Sequence, residues 1–157
     1  MLVVSDTSPV SSLVQIGHGE LLQKLFGTVC IPVAVRDELV RFHATLPSFV
    51  EVRDVVDRAR VNSFMPSLDL GEAEAIVLAI EAHADHLLID ERRGRSIAMQ
   101  AGIPIIGLLG VLLLAKERGL ISAVSECIFG LQTQAGFYVS EALIQRAPEA
   151  AGESGVE

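Results

Sequence analysis

Four acidic residues lie far apart along the chain, and each falls at or near a predicted strand end or helix start. Asp6 follows the apolar run at residues 2–5, and Asp90 follows a similar run at 86–89. Glu72 lies in the first turn of the helix before that second run, and Glu38 lies one turn or more into an earlier helix. If the strands form one parallel sheet, these four side chains meet at the same edge of the sheet.

Carboxylates gathered in this way would form a metal site. Crowded carboxylates repel one another and become protonated or destabilising unless a hard cation such as Mg²⁺ or Mn²⁺ lies among them. A bound cation activates water and neutralises the charge that develops on a phosphate. The pattern therefore indicates metal-dependent hydrolysis of phosphodiesters.

Each acid also has a simpler explanation. Asp6 and Asp90 could cap the helices that follow them, although Thr7 or Ser8 would compete with Asp6 as a cap. Glu38 could be a solvated helix residue, and Glu72 or Glu74 could stabilise a helix N-terminus through the helix dipole. Only the four positions together favour a metal site.

The elements that would position these acids alternate between strand and helix. Apolar runs predict strands at residues 2–5, 28–31, 86–89 and 103–106, with a less certain edge strand at 49–52. Helical spacing predicts helices that include 10–16, 21–26, 32–40, 55–61, 69–84, 108–118, 123–131 and 140–145. This order is typical of an α/β protein, a three-layer α/β/α sandwich around a mostly parallel sheet.

The length of 157 residues predicts one domain, at 1–147, and the Gly-, Ala-, Ser- and Glu-rich residues 148–157 predict a disordered tail. Residues 96–115 carry no charge, but glycines and a proline divide them, so we expect buried core and no membrane span. Cys30 and Cys127 are expected as buried thiols in a reducing cytoplasm. The first five residues are too short for a secretion signal and lack Lys or Arg.

The net charge of −8 argues against avid nonspecific binding to nucleic acid, unless clustered acids hold cations that invert the local field. Aromatic residues make up 4% of the chain, and there is no Trp. This composition suits aliphatic helix-on-sheet layers better than a platform on which bases stack.

Four segments taken together resemble the PIN-domain family, and the resemblance extends from residue 2 to about 143. The segments are Val4-Ser5-Asp6-Thr7-Ser8-Pro9, Ile31-Pro32 with Val35 and Glu38-Leu39, Leu70-Gly71-Glu72-Ala73-Glu74-Ala75-Ile76 with Leu78-Ala79, and Leu88-Ile89-Asp90 with Gly94-Arg95. Their order and spacing are closest to the branch of predicted nucleic-acid-binding proteins related to the toxin nucleases of toxin–antitoxin pairs.

The resemblance implies a PIN-like α/β/α sandwich and a Mg²⁺- or Mn²⁺-dependent ribonuclease. It places the catalytic and metal-binding acids at Asp6, Glu38, Glu72 and Asp90. The supporting hydroxyl falls on Thr7 or Ser8, and Glu74 competes with Glu72 for the third acidic position. The resemblance implies an RNA substrate and an antitoxin partner, and we also expect a homodimer. A Glu at the third position, where Asp is more usual, and the acidic overall charge both depart from a standard toxin nuclease.

Basic residues follow the fourth acid, and Arg92 and Arg95 are candidates to bind phosphate beside the metal. For Arg92 and Arg93, a solvated helix face or ion pairs with nearby acids is the favoured explanation. The four His residues share no spacing of a zinc site.

Other functions fit the sequence less well. A phosphatase with an aspartyl nucleophile would carry a second Asp where Ser8 stands, and no P-loop motif occurs. The main alternative is a PIN-like module that retains the acids but binds RNA or a partner protein, with the helix at 108–115 or the one near Leu13 as the docking surface.

Overall fold

A parallel sheet with helices on both faces forms the centre of the molecule in the computed structural model, which describes residues 1–136 and 141–153. The described residues contain five strands in the order β3-β2-β1-β4-β5, and all neighbouring pairs are parallel. The predicted α/β sandwich is therefore confirmed. The strands are β1 (Val3–Ser5), β2 (Val29–Ile31), β3 (Val50–Val52), β4 (His86–Leu88) and β5 (Ile105–Ile106).

The chain reverses its direction of travel across the sheet between β1 and β4. From β1 it moves outward through β2 to β3, and it then crosses to the other side of β1 to form β4 and β5. Val4 of β1 pairs with both Cys30 and Leu87, so β1 is central. Ligands of open α/β sheets bind at such a reversal, outside the carboxyl ends of the strands.

Alternating side chains of the short strands enter two apolar cores, one on each face of the sheet. Val3 packs into the core that includes α1, α2, α7 and α8, and Val4 packs into the core built around α5. This alternation follows from the two-residue period of a strand. The helices are α1 (Thr7–Gln15), α2 (Glu20–Phe26), α3 (Val33–Phe42), α4 (Arg58–Phe64), α5 (Leu70–Glu81), α6 (Arg92–Gln100), α7 (Leu108–Glu117), α8 (Val124–Gln134) and α9 (Glu141–Ala150).

The uncharged stretch at 96–115 is divided among α6, β5 and α7, and several of its apolar residues, such as Leu108 and Leu112, are buried in the cores. None of the helices in the described parts of the chain is long and apolar enough to cross a membrane. Cys30 and Cys127 are free and buried.

The C-terminal region departs from the expectation of a tail that starts at Pro148. Helix α9 continues through Ala150, and the Glu153 carboxylate accepts hydrogen bonds from the backbone N–H groups of Val124 (2.6 Å) and Ser125 (3.2 Å) at the start of α8. These free N–H groups at a helix N-terminus attract a carboxylate, which holds the segment on the domain. Residues 154–157 of the predicted tail, and residue 140 of the predicted last helix, lie outside the described residues.

Candidate functional site

A pocket of about 360 Å³ opens at the carboxyl ends of the central strands, where the chain reverses across the sheet. It is bounded by α1 along its length, by the N-terminal part of α5, by α3, by the turn after β4 and by the end of α8. Five of its lining residues are acidic, and most of the others are small or polar. The lining consists of Asp6, Thr7, Ser8, Ser11, Ser12, Gln15, Glu38, Phe42, Asp69, Glu72, Glu91 and Ala135.

Asp6 is the acid at the end of β1, and its carboxylate lies in this pocket while 7% of the residue is exposed. Its side chain makes no capping hydrogen bond to α1, so the alternative role as a helix cap does not account for it. Burial raises its pKa from 3.8 to about 7. The backbone N–H of Thr7 opposes this rise, and the negative charges of Glu72, Asp69 and Glu38 add to it.

Glu72 both caps α5 and lines the pocket. Its Oε1 accepts the backbone N–H of Asp69 (3.2 Å), and Asp69 Oδ1 accepts the backbone N–H of Glu72 (2.8 Å), which completes a capping box. Its Oε2 is buried and has no hydrogen-bonding partner among the described residues. Burial raises the pKa of Glu72 to about 7, and the charges of Asp69 and Glu91 contribute.

Glu38 reaches the pocket from α3. Burial raises its pKa, and the nearby charge of Asp69 adds to the rise. The Thr7 hydroxyl lies close enough to the Glu38 carboxylate to lower this pKa, although the contact falls short of a standard hydrogen bond. Thr7 Oγ1 is buried and has no hydrogen-bond partner among the described residues. Gly71 of α5 packs directly against Glu38 Oε1, in space that a side chain would occupy.

Asp90 lies in a different environment from the other three predicted acids. Its Oδ1 accepts the backbone N–H of Leu108 at the start of α7 (2.9 Å), and the guanidinium of Arg95 lies nearby. Burial raises its pKa against the lowering effects of Leu108 and Arg95. Asp90 is not among the residues that line the pocket, whereas its neighbour Glu91 is. Asp90 Oδ2 is nevertheless buried without a partner in the described residues.

The remaining predicted site residues separate into two groups. Thr7 and Ser8 line the pocket, as expected for supporting hydroxyls. Glu74 instead accepts the backbone N–H of Ala34 (2.9 Å) and pairs with Arg58 (2.7 Å), so it joins α5 to α3 and α4.

The two predicted phosphate-binding arginines also differ in their surroundings. Arg95 donates to the Ile89 carbonyl (3.2 Å), beside Asp90. Arg92 is exposed and, with Arg93, lines an adjoining depression that shares Glu72 and Glu91 with the acidic pocket.

Several residues of the pocket were not predicted from the sequence. Asp69 could have been found from the pattern Asp69-x-x-Glu72, which is typical of a capping box. Glu91 could have been found as a second acid after β4. The polar residues of α1 recur at helical spacing, at Ser8, Ser11, Ser12 and Gln15. The spacing alone predicts an ordinary amphipathic helix, whereas in the structure Ser11 and Ser12 of this stripe are buried and line the pocket.

The donor chemistry of the pocket suits a hard divalent cation. All of its acidic donors are carboxylate oxygens, Glu72 Oε2 has no partner among the described residues, and burial, together with repulsion from neighbouring carboxylates, raises the pKa values of Asp6, Glu38 and Glu72. However, within residues 1–136 and 141–153 no three acidic, His or Cys side chains are already gathered as a group that could hold a metal ion. Binding would therefore require the carboxylates to turn toward a common point.

The fold and the pocket define a class of α/β protein that binds its ligand at the reversal point of a parallel sheet. Residues 2–153 match a protein-family model described as a PIN domain, and the chain belongs to the PIN-domain family. PIN domains are in general nucleases, which supports a hydrolase that acts on nucleic acid. A comparison with curated proteins found no match.

Proposed function

We propose that this protein is a metal-dependent endoribonuclease that hydrolyses RNA phosphodiesters and serves as the toxin of a toxin–antitoxin pair. One observation carries the proposal: Asp6, Glu38 and Glu72, which are tens of residues apart, line a single pocket where their pKa values are raised. Buried carboxylates with perturbed pKa values in a cleft are typical of functional sites. Family membership supplies the independent support for nucleic acid as the substrate.

Asp6, Glu38 and Glu72 would hold Mg²⁺ or Mn²⁺, with a fourth carboxylate supplied by the pair Asp90-Glu91. When bound, the cation supplies Lewis-acid stabilisation of phosphate charge and lowers the pKa of water. The hydroxyls of Thr7 and Ser8 lie in the same pocket and would orient the acids or the substrate. Arg92 would bind a phosphate next to the scissile one, since the depression that it lines adjoins the acids.

Cleavage of labelled RNA by the purified protein tests this proposal. We expect cleavage in Mg²⁺ or Mn²⁺, no cleavage in EDTA, and a loss of at least about a hundredfold in Asp6→Asn, because a neutral amide oxygen binds a hard cation more weakly than a carboxylate does. Glu117→Gln is the matched control, since Glu117 is exposed on α7 outside the pocket. Equal cleavage by Asp6→Asn and wild type, or cleavage that survives EDTA, would refute the metal mechanism.

Two substitutions identify the fourth acid. Asp90→Asn retains an oxygen that can accept the Leu108 N–H and removes only the charge, whereas Glu91→Gln removes a charge inside the pocket. A larger loss of cleavage and of Mn²⁺ affinity in Glu91→Gln would assign the ligand to Glu91 and leave Asp90 as a positioning residue. The reverse order would support the original assignment of Asp90.

The second candidate function is a PIN module that binds RNA or a partner protein without cleaving it. The observation that favours it is that no ready group of metal ligands exists among the described residues. RNA binding that persists in EDTA, together with no cleavage in any divalent cation, would support this function over the nuclease.

The toxin role implies an antitoxin protein, a cytoplasmic site of action and a homodimer as the working form. A small DNA-binding protein encoded directly beside this gene, and suppression of the toxicity of this chain when the two are expressed together, are the expected results. Growth that is unaffected by expression of the chain alone would contradict the toxin role and leave the nuclease proposal in place.

A further inference from the structure

The pocket has two halves with different chemistry. One half contains five acids: Asp6, Asp69 and Glu72 at the N-terminal ends of α1 and α5, Glu38 on α3, and Glu91 directly before α6. The other half lies toward the C-terminal ends of α1 and α3 and is lined by the uncharged residues Ser11, Ser12, Gln15 and Phe42. The proposed cation chemistry occupies the acidic half only, so the uncharged half has no role in it.

Phe42 is the single aromatic side chain lining the pocket among the described residues, and 70% of the residue is exposed. It is the last residue of α3, four positions after Glu38, so the two side chains share one face of the helix about 6 Å apart along its axis. An exposed ring at this place adds little to the core but presents a flat apolar surface one helical turn from the acids.

Polar groups of α1 line the pocket with this ring. Ser11 Oγ forms a hydrogen bond with His43 Nε2 (2.9 Å), and the Gln15 amide donates a long hydrogen bond to Ser11 Oγ (3.5 Å). The carbonyl oxygen and the second N–H of Gln15 remain able to bond a ligand, as does the hydroxyl of Ser12. These groups offer both donors and acceptors, which suits the edge of a nucleobase better than a charged group.

We infer that the uncharged half of the pocket is a subsite for one unpaired nucleobase, which stacks on Phe42 while its edge contacts Gln15 and Ser12. A base is flat and neutral, so it avoids the repulsion that an acidic ligand would meet from the five neighbouring carboxylates. A base within a duplex has both faces covered by its neighbours and cannot stack on a protein ring. This inference rests on the proposed nuclease function and narrows its substrate to single-stranded nucleic acid at this position.

A fluorescence experiment tests the subsite without relying on activity. The chain contains no Trp and one Tyr, so Phe42→Trp introduces a single tryptophan, which can be excited selectively, into the pocket. Phe129→Trp on α8 is the matched control, because Phe129 is similarly exposed (66%) and does not line the pocket. Each variant is titrated with a short single-stranded oligoribonucleotide, with an otherwise identical abasic strand and with a duplex, using Ca²⁺ to slow cleavage, while anisotropy of a labelled strand reports total binding.

We expect the single strand to quench the tryptophan at position 42 but not the one at 129, with little quenching by the abasic strand or the duplex. Phe42→Ala should bind the single strand about 5- to 100-fold more weakly than wild type, and Phe42→Tyr should restore binding.

Two other outcomes would overturn the inference in distinguishable ways. If RNA is bound and cleaved but position 42 is not quenched, or is quenched equally by the duplex or the abasic strand, the subsite is refuted and the nuclease proposal remains. If wild type neither binds nor cleaves RNA, both fail.

Discussion

Two carboxylates on the same turn of α5, Glu72 and Glu74, have opposite environments. Residues that are two positions apart in an α-helix point about 200° apart around its axis. Glu72 therefore faces the pocket, while Glu74 faces α3 and α4. Both oxygens of Glu74 have partners, whereas Glu72 Oε2 has none among the described residues. The sequence placed both residues in one motif but could not distinguish them, because their roles depend on how α5 is rotated against its neighbours.

Glu74 should stabilise the fold without supporting catalysis. We predict that Glu74→Ala lowers the free energy of unfolding by about 1–3 kcal/mol, because it leaves the N–H of Ala34 without its acceptor. Glu74→Gln should cost less, since its amide oxygen can still accept that hydrogen bond. Urea denaturation measures both changes, and cleavage per folded molecule should stay near the wild-type value. A selective loss of Mn²⁺ binding in Glu74→Gln would instead make Glu74 a ligand.

Two adjacent acids, Asp90 and Glu91, follow β4, and the sequence does not show which of them belongs to the site. Asp90 follows the apolar run that forms β4 and was predicted as the fourth acid, and the next residue, Glu91, is the one that lines the pocket. Successive residues near a strand end point in different directions, so the sequence indicates an acid after β4 but not which of the two faces the pocket. Asp90 therefore stays a prediction, to be decided by the two substitutions.

The contact between α3 and α5 holds two of the acids in place. Gly71 lies in the first turn of α5, where a Cβ atom would collide with Glu38 Oε1. We predict that Gly71→Ala displaces the Glu38 carboxylate and weakens Mn²⁺ binding by about tenfold or more, while stability changes little because only the end of a flexible side chain must move. Calorimetric titration with Mn²⁺ and a thermal melt measure the two effects.

Gly130→Ala in α8 is the control, since its added Cβ would meet only the side chain of Ile16, at 3.3 Å or more. Unchanged Mn²⁺ affinity in Gly71→Ala would show that the position of Glu38 does not matter for the cation.

Most elements could be predicted because their signals are local. The capped start of α5, with Asp69 and Glu72, and the apolar runs of the five strands lie at or within a few residues of their predicted places. The region between β3 and α5 was less regular, and α4 begins three residues later than predicted, where Asp57 caps it through the N–H of Arg60. The hydrogen bonds that the Glu153 carboxylate accepts could not be predicted from the sequence, because their donors, Val124 and Ser125, are about thirty residues away along the chain.

Acidic residues gathered at the pocket make the stability of the whole protein depend on pH. The pKa values of Asp6 and Glu72 are raised to about 7 in the fold from 3.8 and 4.5. Between about pH 4 and pH 7 the folded protein therefore holds protons that the unfolded chain has released. The stability that these bound protons contribute is fully present below about pH 4 and is lost as the pH rises through about 7.

Removal of the charge at Asp6 should therefore help the metal-free protein most at alkaline pH. We predict that Asp6→Asn is more stable than wild type in EDTA at about pH 8, by up to roughly 4 kcal/mol, with a smaller difference at about pH 5. Urea denaturation at the two pH values measures this, and Glu117→Gln should show no such dependence. If Asp6→Asn is no more stable than wild type at either pH, the prediction that the buried, charged carboxylate of Asp6 destabilises the metal-free protein is contradicted.

The most direct test of a cation-binding pocket is calorimetric titration of the wild-type protein with Mn²⁺ at about pH 8, where Asp6 and Glu72 are largely ionised. We predict a saturable binding event that weakens at least about tenfold in Asp6→Asn and in Glu72→Gln, and that is unchanged in Glu117→Gln. Glu72→Gln retains the side-chain acceptor of the capping box, so it isolates the charge from the fold. Absence of binding to wild type, or equal affinity in all four proteins, would contradict the account.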